Sequence, residues 1–478
     1  MLPVAVVVLL KVALGASVLG RYGWQRDELY YAVAARHLSF GYADFPPVTA
    51  FIGAGVRLVF GESRVALRAV ALGSGACVVV VCALIARELG GSRRAQTFAA
   101  AAIALTPSLL GTNTLFQPVS FDYLASAVFL WLAVRLALAP TRRLWIAIGI
   151  VLGVGLETKY TIGVLAVGLL LGAAFFRRDL LRVRDLGLAL AIALALAAPN
   201  LVWEARHQWA TFRFLVNSGG SATSETRPQF VVDLIVLGGV LLPVWLAGFR
   251  SLRRDQRTRW LAWGIGIVCL AYFVLGGKSY YAAPVLVLAL AAGAPWLERR
   301  ITSVRSGAVA AVIVLAVTLP ILPIAVPVLP AATMVRRHIE KVRSDYKDEL
   351  GWNSVVTGAV RATAAIRGAG GVPGAVVAAN YGEAGALDVL GKGRGLPPTV
   401  SGNLSYRYWR PARIRSNDVV VVGYDKASLA RFCTAYRVVT HVHIPYGVDN
   451  DESGQPIATC TLRGGLDAVW PKLLDPRF

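Results

Sequence analysis

Long apolar runs of roughly 17–23 residues recur through the chain, the length a helix needs to cross a bilayer. They stand at 2–20, 67–86, 96–112, 119–138, 144–156, 160–176, 186–203, 230–249, 260–275, 280–296 and 307–329, about eleven in all, some of them short for a full crossing. A soluble fold cannot accommodate them, because a large share of its residues must face water. Here 56% of the 478 residues are hydrophobic and only 16% are charged. The expected fold is therefore a mainly helical, polytopic membrane protein. The first run, Leu2 to Leu19, has the length of a signal peptide, but Lys11 interrupts it and no basic segment precedes it. It reads as a retained span, with a cleaved signal as the alternative. Segments 29–40 and 46–60 read as helices lying in the interface, the second because Pro46-Pro47 and Arg57 make it a poor span.

The net charge is +22, and its placement is more informative than its size. Connectors 87–95, 139–143, 177–185, 250–259 and 297–306 are rich in arginine. Connectors 21–66, 113–118, 157–159, 204–229 and 276–279 hold acids, aromatics and isolated cations instead. The positive-inside rule places the first set and the N-terminus in the cytoplasm. It places the second set, and everything after about residue 330, outside. The bilayer and its anionic headgroups are the expected partner of the basic loops; no basic patch on a soluble fold points to nucleic acid.

Residues 331–478 have a different composition and predict an extracytoplasmic α/β domain beside a transmembrane domain at 1–330. Amphipathic sequence runs from Val335 to Ile366. Strands are expected at 374–379, 418–423 and 436–443, with helices from Glu383 to Leu390 and from Lys426 to Cys433. Strand–helix alternation predicts a parallel sheet. Neither GxGxxG nor a Walker motif accompanies it, so a nucleotide site is not supported. Cys433 and Cys460 are able to form a disulfide if this region lies outside the cell.

The first outer connector carries the densest polar chemistry. Arg21-Tyr22-Gly23-Trp24-Gln25-Arg26-Asp27-Glu28-Leu29-Tyr30-Tyr31 follows the first span directly. Local salt bridges in a solvated loop would explain such a cluster taken alone. Yet Asp122 lies at the outer mouth of another span, and Lys159 and Lys278 lie at two more. Ionisable groups near a bilayer interior are costly, so their collection on one side points to a site. Cations at the membrane surface suit a phosphate headgroup whose lipid tail stays in the bilayer. Aromatics suit sugar faces. A carboxylate suits removal of a proton from an attacking hydroxyl. A lipid phosphate leaves readily and needs charge stabilisation more than a proton, so one base plus cations is enough; glycoside hydrolysis needs two carboxyls.

The run from Gly20 to Tyr31, with Arg36-His37-Leu38 and Gly41-Tyr42-Ala43-Asp44-Phe45-Pro46-Pro47, resembles the first outer loop of bacterial protein O-mannosyltransferase-like glycosyltransferases. These are membrane enzymes of the GT-C fold that use polyprenyl-phosphate sugars; the aminoarabinose transferases that modify lipid A are relatives. Gln117–Leu124, Lys278–Pro284, Asn380–Ala386 and Ser401–Tyr406 are similar to the same group. The resemblance implies that Asp27 is the catalytic base and that Asp122 shapes the site, with Glu28 orienting Arg26 or the acceptor. Arg21, Arg26 and Tyr30 complete the first-loop cluster as substrate-binding candidates. By position, Lys159 and Lys278 are phosphate clamps or interfacial anchors, with Tyr160 and Tyr280 beside them. His37 is a ligand or a plain interfacial residue, Asp44 a site residue or turn chemistry, and His207 a lining of an acceptor path or a loop residue. Glu383 contributes to a face over the membrane site or merely starts a helix.

The implied activity is inverting transfer of a sugar from a polyprenyl-phosphate donor to an acceptor hydroxyl on the outer face. Mannose, arabinose and other sugars fit, as do glycan, lipid and protein acceptors. Nothing reads as the lumenal β-trefoil of the eukaryotic protein O-mannosyltransferases, which counts against a protein acceptor. No obligatory cofactor or resident metal is expected, although neighbouring acids are able to hold a divalent ion. The competing readings are a transporter or flippase of lipid-linked sugars, favoured by Lys11 in mid-span, and a non-catalytic envelope scaffold.

Overall fold

The computed structural model describes residues 2–217 and 225–477, so residues 218–224 of the 204–229 connector lie outside the described residues. Every apolar run anticipated as a span falls in helix. Leu2–Ala16, Arg64–Glu88, Pro118–Leu138, Arg142–Leu156, Thr161–Phe176, Val183–Arg206 and Arg259–Leu275 are continuous. Three of the others are broken. Thr106-Pro107 separates Arg93–Ala104 from Pro107–Thr112, and Pro284 separates Ser279–Ala282 from Val285–Arg300. Proline lacks the amide that would continue the ladder from the preceding turn and is best accommodated in a first helical turn, where Pro107 and Pro284 start new helices. A short 3-10 turn joins Arg227–Gly238 to Leu242–Arg254. Val304–Ala325 closes the set. Ser63, Ser92, Thr106, Thr141 and Ser303 cap the starts of their helices by accepting bonds from first-turn amides.

Among the described residues, five helical segments are long and apolar enough to cross a membrane: Arg64–Glu88, Pro118–Leu138, Val183–Arg206, Arg227–Arg254 and Val304–Ala325. The last leaves Val309, Val312 and Ile313 more than half exposed. In water an apolar face of that extent is a liability; against lipid it is at home. Arg26–Ala34 and Val48–Phe60 form the two helices of the first connector.

The bundle has two chemically different ends. At one end the arginine connectors meet: Arg94 donates to the Ile301 carbonyl at 2.9 Å, and Arg177 donates to the carbonyls of Ala137 and Arg257 at 3.2 and 3.1 Å. At the other, the Val48 amide donates to the Glu157 carbonyl at 2.9 Å, and the Ser279 amide donates to Glu225 at 2.9 Å. The first connector therefore shares an end with the connectors that hold Lys159 and Lys278.

The C-terminal region is built on a five-stranded sheet of β1 (Val376–Ala378), β2 (Thr399–Val400), β3 (Asp418–Val422), β4 (Cys433–His441) and β5 (Pro456–Leu462), in the order β2-β1-β3-β5-β4. The expected all-parallel sheet is corrected. β1 runs parallel to β2 and β3, but β5 is antiparallel to both β3 and β4. The reason is the connection between β4 and β5: it contains no helix long enough for the crossover that parallel strands require. Cys433 and Cys460 form a disulfide between these two strands.

Alternation in β3 divides its residues between two cores. Val419 and Val421 face Leu429, Phe432 and Val469. Val420 and Val422 face Val355 and Ala359 of the helix Trp352–Gly368, in a core that also contains Leu29 and Tyr30 of the first connector. The sheet region and the first connector are thus packed as one body. Gly385 makes the approach close: a Cβ there would stand 2.8 Å from Leu29 Cβ and 3.1 Å from its carbonyl carbon. That contact brings the start of the helix Tyr381–Leu390 against the helix Arg26–Ala34.

Candidate active site

Gln25 begins the helix that carries Asp27. Its side chain accepts from the Asp27 amide, and Glu28 closes a capping box by accepting from the Gln25 amide. Successive helical residues point about 100° apart, so the two acids cannot face the same place.

Asp27 faces the C-terminal region. Its Oδ1 accepts a hydrogen bond from the Tyr381 hydroxyl at 2.7 Å, and among the described residues its Oδ2 has no partner. Burial pushes the Asp27 carboxyl above the ordinary carboxylate range; the bond from Tyr381 and the charges of Arg26 and Lys278 pull it down, and Asp345 pushes it up. Tyr381 is itself fixed. Its amide donates to Asn403 Oδ1 at 3.1 Å, and Asn403 Nδ2 donates to Asp475 Oδ2 at 2.7 Å.

Asp44 joins the same cluster. The Tyr30 hydroxyl donates to Asp44 Oδ1 at 2.8 Å, lies 2.7 Å from Ser405 Oγ, and receives the Ser405 amide at 3.1 Å. Ser405 Oγ in turn accepts from the Ala43 amide at 2.9 Å. Burial pushes Asp44 up to about 7, with Tyr30 opposing and the Asp27 charge adding to the rise. Asp44 is therefore bonded across the cluster to Tyr30 and not only within its own turn.

Lys159 and Lys278 converge on one aromatic pair. Lys159 Nζ lies 5.0 Å from the Tyr281 ring centroid and 6.0 Å from that of Tyr280, and Lys278 Nζ lies 5.9 Å from the Tyr280 ring. Among the described residues neither lysine has a carboxylate within ion-pair distance, so both charges are available. The charge of Lys159 also reaches Asp122, whose Oδ1 is buried without a hydrogen-bond partner among the described residues.

Other expected residues lie elsewhere. Glu28 does not orient Arg26: it is 1% exposed and is held by Arg68, whose Nε and Nη2 donate at 2.9 and 2.7 Å, and by the Phe116 amide at 2.9 Å. Arg68 also donates to Glu349 at 3.0 Å, which makes a buried tie between the bundle, the first connector and the segment 344–349. Arg26 is not free for a phosphate, because Asp451 and Glu452 take its guanidinium at 2.7 Å each. Arg21 is exposed, and its carbonyl receives Arg68. Tyr160 donates to Asn200 at 2.6 Å. Glu383 is a helix cap: its carboxylate accepts from the Ala379 and Asn380 amides, and burial lifts it to about 8.

His37 stacks on Trp409 at 4.8 Å and His207 stacks on Trp203 at 3.9 Å. His207 lines a 460 Å³ cavity with Phe40, Phe51 and Arg206, away from Asp27's hydrogen-bond partners. Lys11, expected to find an acid or to lie beneath the site, is buried with Asn113 Oδ1 at 3.5 Å as its partner.

The structure gives cluster partners to Tyr31 and Tyr281 of the stretches already quoted and to Tyr381, which with Gly382 and Glu383 reads either as a helix start or as part of a face over the site, and it brings in Ser405 and Arg477. The Asp27 charge acts on the Tyr31 hydroxyl, and the Arg477 charge acts on Asp44. Tyr381 and Ser405 sat in the two C-terminal stretches already singled out by resemblance; Arg477 left no local signal.

A helical bundle with one carboxylate cluster at the end opposite its arginines, roofed by a small α/β layer, defines a protein of the GT-C glycosyltransferase fold. The solved structures of ArnT from Cupriavidus metallidurans, bound to undecaprenyl phosphate and in the apo state, superpose with TM-scores of 0.61 and 0.62 at 16% identity, covering 95% of this chain and 97% of theirs. The oligosaccharyltransferase AglB from Archaeoglobus fulgidus, in complex with an inhibitory peptide and a dolichol-phosphate, matches with a TM-score of 0.50 at 12% identity, over 78% of this chain and 62% of its own. In sequence, residues 44–203 match the model of the dolichyl-phosphate-mannose-protein mannosyltransferase family. That segment holds Asp44, Asp122, Lys159 and Tyr160, and Asp27 precedes it. No curated protein sequence matches the chain.

Proposed function

We propose that this protein is an inverting glycosyltransferase that moves a sugar from a polyprenyl-phosphate donor to an acceptor hydroxyl at the outer face of the membrane. One observation carries the reading. Among the described residues, Asp27 has one oxygen held by Tyr381 and the other without a partner, on the same end of the bundle as two lysines with no carboxylate partner over a tyrosine pair. Asp27 Oδ2 accepts the proton of the acceptor hydroxyl while that oxygen bonds to the anomeric carbon. The bond from the anomeric carbon to the phosphate oxygen breaks, and polyprenyl phosphate departs with the electron pair. The donor phosphodiester already carries one negative charge, and Lys278 and Lys159 balance the second, which develops as the bond to the anomeric carbon breaks. Inversion follows from a single displacement.

About eleven crossings in residues 1–330, a cytoplasmic N-terminus and an extracytoplasmic domain at 331–478 complete the proposal. The segregation of arginines to the opposite end supports that orientation, and the disulfide supports an oxidising compartment for the sheet. The test is a donor panel. Purified protein in nanodiscs is given polyprenyl-phosphate mannose, arabinose and glucose in turn, and free polyprenyl phosphate is followed. Consumption of one donor with stoichiometric release supports the reading. Passage of an intact lipid-linked sugar across the bilayer without release overturns it in favour of a flippase.

A further inference from the structure

A cavity of about 700 Å³ opens at the arginine-rich end of the bundle, between the ends of the helices Leu242–Arg254 and Val285–Arg300 and the Leu89-Gly90 turn. It lies far from the Asp27 cluster. Lys278 precedes the helix Val285–Arg300 and Arg299 lies in its last turn; 16 residues at about 1.5 Å each set the two ends about 24 Å apart. Arg250, Arg254 and Arg299 line the cavity, and among the described residues none of the three has a carboxylate partner. The one acid there, Asp255, is already bonded by the amide and guanidinium of Arg257. Trp296, with Arg300 stacked 4.1 Å from its ring centroid, forms part of the wall. Leu89, Ala247 and Leu246 supply an apolar side, and Leu246 is half exposed on the outer surface of the bundle.

Three guanidinium groups around one cavity repel each other until an anion joins them, and guanidinium matches phosphate oxygens in pairs. The apolar wall leads from the charged floor onto a bilayer-facing helix surface. We infer that this cavity binds the phosphate headgroup of an anionic phospholipid, with an acyl chain lying along Leu246 and Ala247. Such a site differs from the diffuse attraction of any basic loop for an anionic leaflet, because it is local, saturable and lost with three particular arginines.

The test does not depend on the proposed enzymatic activity. The full protein is extracted from bilayers of phosphatidylcholine and phosphatidylglycerol, and retained lipid is measured by native mass spectrometry. Wild type is expected to retain one phosphatidylglycerol, enriched at least about tenfold over phosphatidylcholine. R250Q/R254Q/R299Q loses that enrichment, whereas R142Q/R143Q/R184Q, an equal charge change among exposed arginines of the same end, keeps it. Thermal midpoints establish that each variant folds. If the first triple variant does not, Arg254→Gln alone, at an exposed helix end, lowers the enrichment at least about threefold. Excess inorganic phosphate leaves the lipid in place. Equal loss in both triple variants, enrichment retained without the three arginines, or displacement of the lipid by inorganic phosphate overturns the inference.

Discussion

Replacing Glu28 by Gln separates structure from chemistry in the acidic pair. Glu28 accepts four hydrogen bonds, from the Gln25 and Phe116 amides and from Arg68 Nε and Nη2, and it is 1% exposed. Arg68 is equally buried and shares its charge between Glu28 and Glu349. Removing one partner of a buried ion pair costs about 3–5 kcal/mol, mostly because the remaining charge is left uncompensated. Glu349 remains, and the new amide still accepts from Phe116, so the lower end, about 3 kcal/mol, is expected. A secondary effect follows. Burial holds the Glu349 carboxyl up near 7, with the Glu28 charge adding to the rise and Arg68 opposing it. Without the Glu28 charge Glu349 titrates lower and pairs more fully with Arg68. The assay is denaturant unfolding in detergent followed by tryptophan fluorescence, beside Asp27→Asn as the contrast. Glu28→Gln should unfold at clearly lower denaturant, while Asp27→Asn, which loses one hydrogen-bonded charge at a half-buried position, moves by at most about 1 kcal/mol. A Glu28→Gln protein with wild-type stability and no turnover would show that Glu28 touches the reacting atoms and would refute this reasoning.

Three further outcomes follow from the same geometry. Asp27 acts as a base only when ionised, and burial raises its pKa, so turnover should rise with pH through a midpoint above the ordinary carboxylate range. Tyr381→Phe removes a bond that favours the ionised form, so it should move that midpoint to higher pH; a pH–rate profile that stays put or moves down contradicts the assignment. Lys159→Ala and Lys278→Ala should each lower kcat/KM for the donor by about 10- to 100-fold, the worth of one charge-assisted contact, with Arg substitutions largely rescuing; unchanged steady-state kinetics would make them interfacial anchors. Cys433→Ser opens a loop closed across 27 residues, which should destabilise the sheet region by about 3–4 kcal/mol, read as lower resistance to urea and matched by reduction of the wild type.

Much of this was legible in the sequence because bilayer thickness and loop charge are local signals. Runs of apolar residues gave the helices, and arginine placement gave the two ends of the bundle. The Asp27 neighbourhood was legible as a cluster of charge and aromatic residues, and Lys159 and Lys278 were singled out by position alone. What stayed hidden depends on distant partners. Arg68 stands at the start of a helix that reads as a plain span, so its tie to Glu28 was invisible, and Glu28 looked like a second member of a catalytic pair. Arg26 is neutralised by Asp451 and Glu452, more than 400 residues along the chain, so no local pattern could show that it was taken. Tyr381 meets Asp27 across 354 residues, through a glycine-lined helix contact that only tertiary packing reveals. β5 was not anticipated as a strand at all, and it is the element that turns the expected parallel sheet into a mixed one, because it pairs antiparallel with both β3 and β4.

The central claim concerns a single oxygen, Asp27 Oδ2, and release of free polyprenyl phosphate tests it most directly. With the donor that wild type consumes, one polyprenyl phosphate should appear for each sugar transferred. Asp27→Asn, folded and inserted as before, should release it at least about 100-fold more slowly, the contribution typical of a positioned general base. Wild-type release by a purified Asp27→Asn protein would contradict the account.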